Sequence, residues 1–178
     1  MLYGALALAG CGDVAPAEPA HHGPVDLWAY VDPNAPEYAQ VNIGAVKAAA
    51  ALLNELAGSE CFAVVEDQWR GPIAAGVFVV RVDDARASAV QAQYAVGDTV
   101  EAFSLAGEIV LRPITSGRRT TIAHEALHLV FGGDREHDAD PTSLFSQSTL
   151  REDDAGIGHY NTTLPTATRA ALQAFCAG

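Results

Sequence analysis

The stretch Thr121-Ile122-Ala123-His124-Glu125-Ala126-Leu127-His128-Leu129-Val130-Phe131-Gly132-Gly133 constrains this chain more than any other, because its chemistry requires a helix. Positions i and i+4 of a helix lie one above the other, with Cβ atoms about 5–6 Å apart. His124 and His128 can therefore turn two imidazoles toward one ion, at zinc–nitrogen distances of about 2.0–2.1 Å. Glu125, next to the first histidine, falls to the side of that pair. There it suits a general base for a zinc-bound water, not a third ligand. Alanine and leucine between the histidines favour a helix. Ile122, Ala126, Leu129 and Val130 form an apolar stripe that would bury its other side. The plain alternative is a helix carrying two surface histidines and a glutamate.

The flanking residues weigh against that alternative. Gly132 and Gly133 can end the helix in the left-handed conformation and reverse the chain. His137 follows this turn and is placed to return to the metal. Asp134-Arg135-Glu136-His137-Asp138-Ala139-Asp140-Pro141-Thr142-Ser143-Leu144-Phe145 completes the segment.

Together these residues resemble the metzincin zinc peptidases, whose signature is His-Glu-x-x-His-x-x-Gly-x-x-His followed by a Met-turn. The run from His137 to Phe145 resembles the matrixin branch. Two departures are visible. Eight residues separate His128 from His137, where the signature has five, so three are inserted before the third histidine. Phe145 stands in place of the turn's methionine and would supply the apolar floor beneath the metal. Asp134 lies at the signature's ligand spacing and competes with His137. His137 is preferred because Phe131 occupies the signature glycine position and the glycines come later.

The resemblance implies an α+β (mixed α/β) fold. Its parts would be a twisted, mostly parallel sheet, a long N-terminal helix, a zinc-binding active-site helix and a C-terminal helix. It implies a zinc-dependent endopeptidase with one catalytic Zn2+ held by His124, His128 and His137, and with Glu125 as general base. Substrate, a protein or peptide, would lie extended beside an edge strand at 108–112, and the region after Phe145 would wall a side-chain pocket. Two other functions stay open. One is a thermolysin-like zinc hydrolase with Glu152, 24 residues after His128, as third ligand. The other is a non-catalytic lipoprotein that binds metal or peptide on a degenerate metzincin fold.

The chain order agrees with that layout. Val25 to Val31 alternates as a strand does. Asn34-Ala35-Pro36-Glu37 has the pattern of a capping box. After it, Tyr38, Val41, Ala45, Val46, Ala49, Leu52, Leu53 and Leu56 recur at helical spacing up to Gly58. Cys61–Glu66 and Gly76–Val82 read as apolar strands. Residues 83–99 are ambiguous, with Ala85 to Tyr94 either a short helix or a loop, and the structural-zinc histidine loop of matrixins has no counterpart in 83–107. Glu108–Arg112 is a strand ending at Pro113. The active-site helix should begin near Ser116-Gly117. Pro165 to Cys176 forms the last helix, with Pro165 tolerated in its first turn and Ala171, Leu172 and Phe175 facing the core.

At 178 residues the chain is long enough for one domain with a sizeable core, assigned to 24–178. A net charge of −12 with the single lysine Lys47 argues against nucleic acid and against a basic face on anionic lipid. Residues 1–11, MLYGALALAGC, end in a bacterial lipobox-like Leu8-Ala9-Gly10-Cys11, without the basic residues of an ordinary signal peptide. Residues 12–23 read as a flexible tether, and His21-His22 as part of it. The expected location is the cell envelope, either lipid-anchored through Cys11, the one route to a membrane, or secreted. A monomer is expected. Export leaves Cys61 and Cys176 as a disulfide pair, or else as two buried thiols. Glu152-Asp153-Asp154 offers hard oxygens to calcium, but its spacing fits no defined loop, so calcium lacks support and a solvated turn is the reading. Asn161-Thr162-Thr163 matches a glycosylation acceptor and is read as a loop, since a lipobox implies bacteria.

Overall fold

A computed structural model describes residues 23–30, 32, 34–37, 40–66, 72–94, 102–113, 118–132, 135–147, 150–152 and 158–178, with the backbone alone at 94, 150–152, 158 and 159. The lipobox, nearly all of the tether, Ser116-Gly117, Gly133, Asp134 and the acidic side chains of 152–154 lie outside that description. Among the described residues, no helix is long and apolar enough to cross a membrane.

The architecture is mixed α/β. Four parallel strands, β1 (Val25–Ala29), β2 (Phe62–Val65), β3 (Val77–Val82) and β5 (Glu108–Leu111), are joined by one antiparallel strand, β4 (Ala102–Leu105). The order across the sheet is β2-β1-β3-β5-β4. Side-chain alternation sorts residues between the two faces. Val25, Leu27, Ala29, Phe78, Val80, Ile109 and Leu111 enter the main core with helices α1 (Ile43–Ala57), α3 (Arg119–Phe131) and α4 (Thr166–Ala177). Phe103 and Val110 face the other way and pack with Ala87 and Val90 of α2 (Asp84–Tyr94). The stretch 83–99 thus contains a helix, as one of its two readings had it.

The long first helix ends where its sequence says it should, at Gly58, whose φ of 72° is the left-handed conformation that glycine adopts most easily. It begins later than the capping-box pattern implies. Asn42, not Asn34, is the N-cap: its Oδ1 accepts from the Ala45 amide at 3.1 Å. Asn34 instead sits in a turn, its amide donating to Asp32 Oδ1 at 2.8 Å. Both positions carry asparagine, a favoured N-cap residue, and the helix starts at the second of them. Asn54 then fixes the exit to β2. Its Oδ1 accepts from the amides of Cys61 (2.9 Å) and Phe62 (2.8 Å), and its Nδ2 donates to the Phe62 carbonyl (3.0 Å).

The edge strand is also not where the sequence placed it. Strand 108–112 is interior, because β4 pairs with β5 and takes the outer position. The hairpin between them turns on Ala106 (φ 48°) and Gly107 (φ 82°), two successive positive φ values of the kind a two-residue hairpin requires. A side chain at Gly107 would press into Ile73. A short antiparallel hairpin, β6 (Leu150–Glu152) with β7 (Gly158–Tyr160), precedes α4.

Cys61 and Cys176 form a disulfide, with Cα atoms 5.5 Å apart and 115 residues between them in sequence. It ties the end of α4 to the start of β2, beside the backbone bond from Gly23 N to Phe175 O at 2.8 Å. In the chain-entropy account, closing so long a loop stabilises by at most about 4–5 kcal/mol.

Candidate metal centre

Helix α3 runs through the middle of the molecule. Thr120 through His128 are all buried, so the helix has no solvent face over that span. The apolar stripe packs as expected at Ile122, Ala126 and Val130, with Leu129 partly buried. The histidines are therefore interior groups: His124 is 1% exposed and His128 3%. The helix ends at Gly132 with φ 84° and ψ 146°. That is a glycine conformation, but outside the left-handed helical well that the sequence led one to expect.

Beyond Gly132, the backbone of Arg135 donates to the Gly132 carbonyl at 3.2 Å, and the chain comes back with His137. The Nε2 atoms of His124, His128 and His137 converge: 3.1 Å between His128 and His124, 3.3 Å between His137 and His124, and 3.1 Å between His137 and His128. This is the group of ligating side chains that can hold a metal ion among the described residues. The geometry brings together the three histidines singled out in the sequence.

The ring of His124 is oriented by its surroundings. His124 Nδ1 lies 2.8 Å from the carbonyl oxygen of Leu144. A carbonyl can only accept, so Nδ1 carries the hydrogen and Nε2 keeps its lone pair for the centre. Burial lowers the pKa of His124 from 6.5 to about 4, the Leu144 bond opposing the shift and His137 adding to it. Burial also lowers that of His128, to about 2, with the neighbouring His124 and His137 adding repulsion. Both are neutral near pH 7, which is the ligating form of imidazole.

Phe145 is fully buried directly against the triad. Its ring centroid lies 5.6 Å from that of His124, 4.8 Å from His128 and 5.3 Å from His137. The aromatic ring thus supplies the apolar floor expected at this position. Phe131 packs edge-on against it at 5.3 Å, and the Arg135 guanidinium lies 4.0 Å above the Phe131 ring.

The returning loop is held by polar groups that the sequence did not single out for any role. Asp138, next to the third histidine, accepts from Ser143 Oγ and from Thr168 Oγ1 of α4, each at 2.6 Å. Its amide donates to the Phe145 carbonyl at 2.8 Å. Thr168 also accepts from Arg135 at 3.2 Å. Asn161, the would-be glycosylation acceptor, is buried in the loop, its amide donating to Pro141 O at 2.9 Å and Ser146 Oγ at 3.3 Å.

Glu125 is 1% exposed, and its Oε2 accepts a hydrogen bond from Ser104 Oγ of β4 at 2.9 Å. Ser104 was missed because β4 was missed. The available signal was the apolar run Ala102-Phe103-Ser104-Leu105, separated by Ala106-Gly107 from the next run.

No family model matches this chain, and no curated protein matches it.

Proposed function

We propose that this protein is a zinc-dependent endopeptidase of metzincin type. The observation that carries the proposal is the convergence of three imidazole Nε2 atoms, two from a His-Glu-x-x-His helix and one from the loop after it. Three nitrogens on a tetrahedral zinc, each about 2.0–2.1 Å from the ion, lie about 3.3–3.4 Å apart. The observed separations of 3.1–3.3 Å fit that requirement. A set of three imidazoles also suits a zinc that retains an open coordination position. Further support comes from the sheet order with its antiparallel outer strand, and from an apolar ring beneath the triad.

Zinc, when bound, supplies Lewis acidity, polarising a carbonyl and making water acidic near neutral pH. The chain's own residues do the rest. His124, His128 and His137 would hold the ion. Glu125 takes a proton from the attacking water and delivers it to the departing amide nitrogen as the carbon–nitrogen bond breaks, leaving one carboxylate and one amine. β4, at the end of the sheet, offers backbone groups along which an extended peptide can lie. The disulfide supports an exported protein, because such bonds persist in oxidising compartments. Attachment through a lipid on Cys11 is part of the same proposal.

Glu125→Gln tests the proposal. Zinc content should stay at the wild-type level while turnover of a peptide library falls by at least about 10²–10⁴-fold. Chelation should abolish wild-type activity and added zinc should restore it. A zinc-loaded wild type that cleaves nothing would overturn the enzyme and leave a binding protein.

A further inference from the structure

We propose that Ser104 is the positioning residue for Glu125, so that one strand sets both the general base and the register of the bound peptide. The inference rests on the peptidase function and deepens it. Along β4, Phe103 faces the α2 side of the sheet, while Ala102 belongs to the main core on the other side. Alternation places Ser104 on the same face as Ala102, toward α3. There its hydroxyl donates to Glu125 Oε2 at 2.9 Å. The carboxyl group is almost wholly buried, and a hydrogen bond made away from water is electrostatically stronger than one in solvent.

The consequence is geometric. A glutamate side chain has three rotatable bonds between backbone and carboxylate, and the helix fixes none beyond the first carbons. The Ser104 bond fixes the far end. It engages Oε2 with the sheet and so limits the orientation of the carboxyl group. The anchor is itself rigid: Ser104 is paired in register with Ile109 of β5, and the Ala106-Gly107 turn closes that hairpin. Because β4 is the outermost strand, a peptide lying along it would be registered against the same backbone that holds the base. Strand and base would then move together, keeping the carboxylate at a constant distance from the scissile bond.

The test uses the full, zinc-loaded chain with Ser104→Ala, and Ser104→Thr and Ser104→Val as a near-isosteric pair differing in the hydroxyl. In the Ala and Val variants zinc content and KM should match wild type, while kcat falls by up to about 10²-fold. Thr should recover most of the loss. A second readout is independent of turnover: thermal unfolding of the metal-free protein in a double-mutant cycle with Glu125→Ala. Ser104→Ala should lower the midpoint in the wild-type background and much less once Glu125 is gone. Full kcat in both Ala and Val variants, a loss confined to KM, or additive midpoints would overturn the proposal alone. A wild type that binds zinc but cleaves no peptide would overturn it together with the peptidase function, even if the cycle shows coupling.

Discussion

Helix α3 and the loop 135–147 bring histidines to the same point by different physics. The helix sets the spacing of His124 and His128 through backbone periodicity. Its intrahelical hydrogen bonds set the spacing, and burial from Thr120 to His128 removes any freedom to tilt. The loop has no such periodicity. His137 is positioned by the groups around it: the carboxylate of Asp138 shared between Ser143 and Thr168, the backbone bond from Asp138 to Phe145, and the bond from Leu144 N to Thr163 O at 2.7 Å. Even His124 draws on the loop, through the Leu144 carbonyl. The comparison teaches that a histidine cluster can take its spacing from a helix and its closure from a polar network, and that the two should fail differently.

Under the proposed function, the largest effects should come from the three histidines themselves. His124→Ala removes a buried side chain as well as a ligand, so it should abolish stoichiometric zinc binding and also lower the unfolding midpoint of the metal-free protein. His137→Ala, at a partly buried loop position, should abolish stoichiometric binding with a smaller change in that midpoint. Asp134→Ala and Glu152→Ala should leave metal content intact. Metal analysis beside thermal unfolding checks all four. Zinc retained in the His137 variant, with loss in either carboxylate variant, would move the third ligand elsewhere.

Next in size is the network behind the loop ligand. Asp138→Ala removes acceptors for two hydroxyls and should weaken metal affinity by about 10–100-fold, the usual effect of losing a group that orients a ligand. Thr168→Val, which removes one of those two donors, should weaken it less. Chelator competition titrations give both numbers. Wild-type affinity in the Asp138 variant would mean that the loop is held by its backbone bonds and by Phe145, making it as self-sufficient as the helix.

The same contrast explains what the sequence revealed. Residues governed by periodicity were legible: the buried positions of α1, the strands of the parallel sheet, and the pair His124 and His128. His137 was legible through its distance from a glycine turn, and Phe145 through its place in the expected floor. Ser104 and Thr168 were not, because their partners are remote, and Asp138 was not, because one of its two hydroxyl partners is Thr168. Ser104 meets Glu125 across 21 positions, and Thr168 meets Asp138 across 30. A hydroxyl in a short strand or at a helix start carries no local sign of such a contact. β4 itself escaped because four residues beside a two-residue turn give little alternation to read, and with it went the correct edge of the sheet.

The smallest expected effect lies outside the histidine cluster and serves as its control. Asn42 and Asn34 both precede the first helix, and both suit a cap by residue type. Only Asn42 accepts from the helix, through the Ala45 amide. Asn42→Ala should therefore lower stability by about 1 kcal/mol. Asn34→Ala should change it by no more than about 0.5 kcal/mol, as for an exposed substitution. Denaturant melts of the metal-free protein resolve that difference. Neither change should alter zinc affinity, because α1 packs on α3 through apolar side chains and supplies no ligand. A fall in zinc affinity with Asn42→Ala would show that the position of α3 depends on where α1 begins. The helix ligands would then be less independent of their surroundings than their spacing implies, and the contrast with the loop would narrow accordingly.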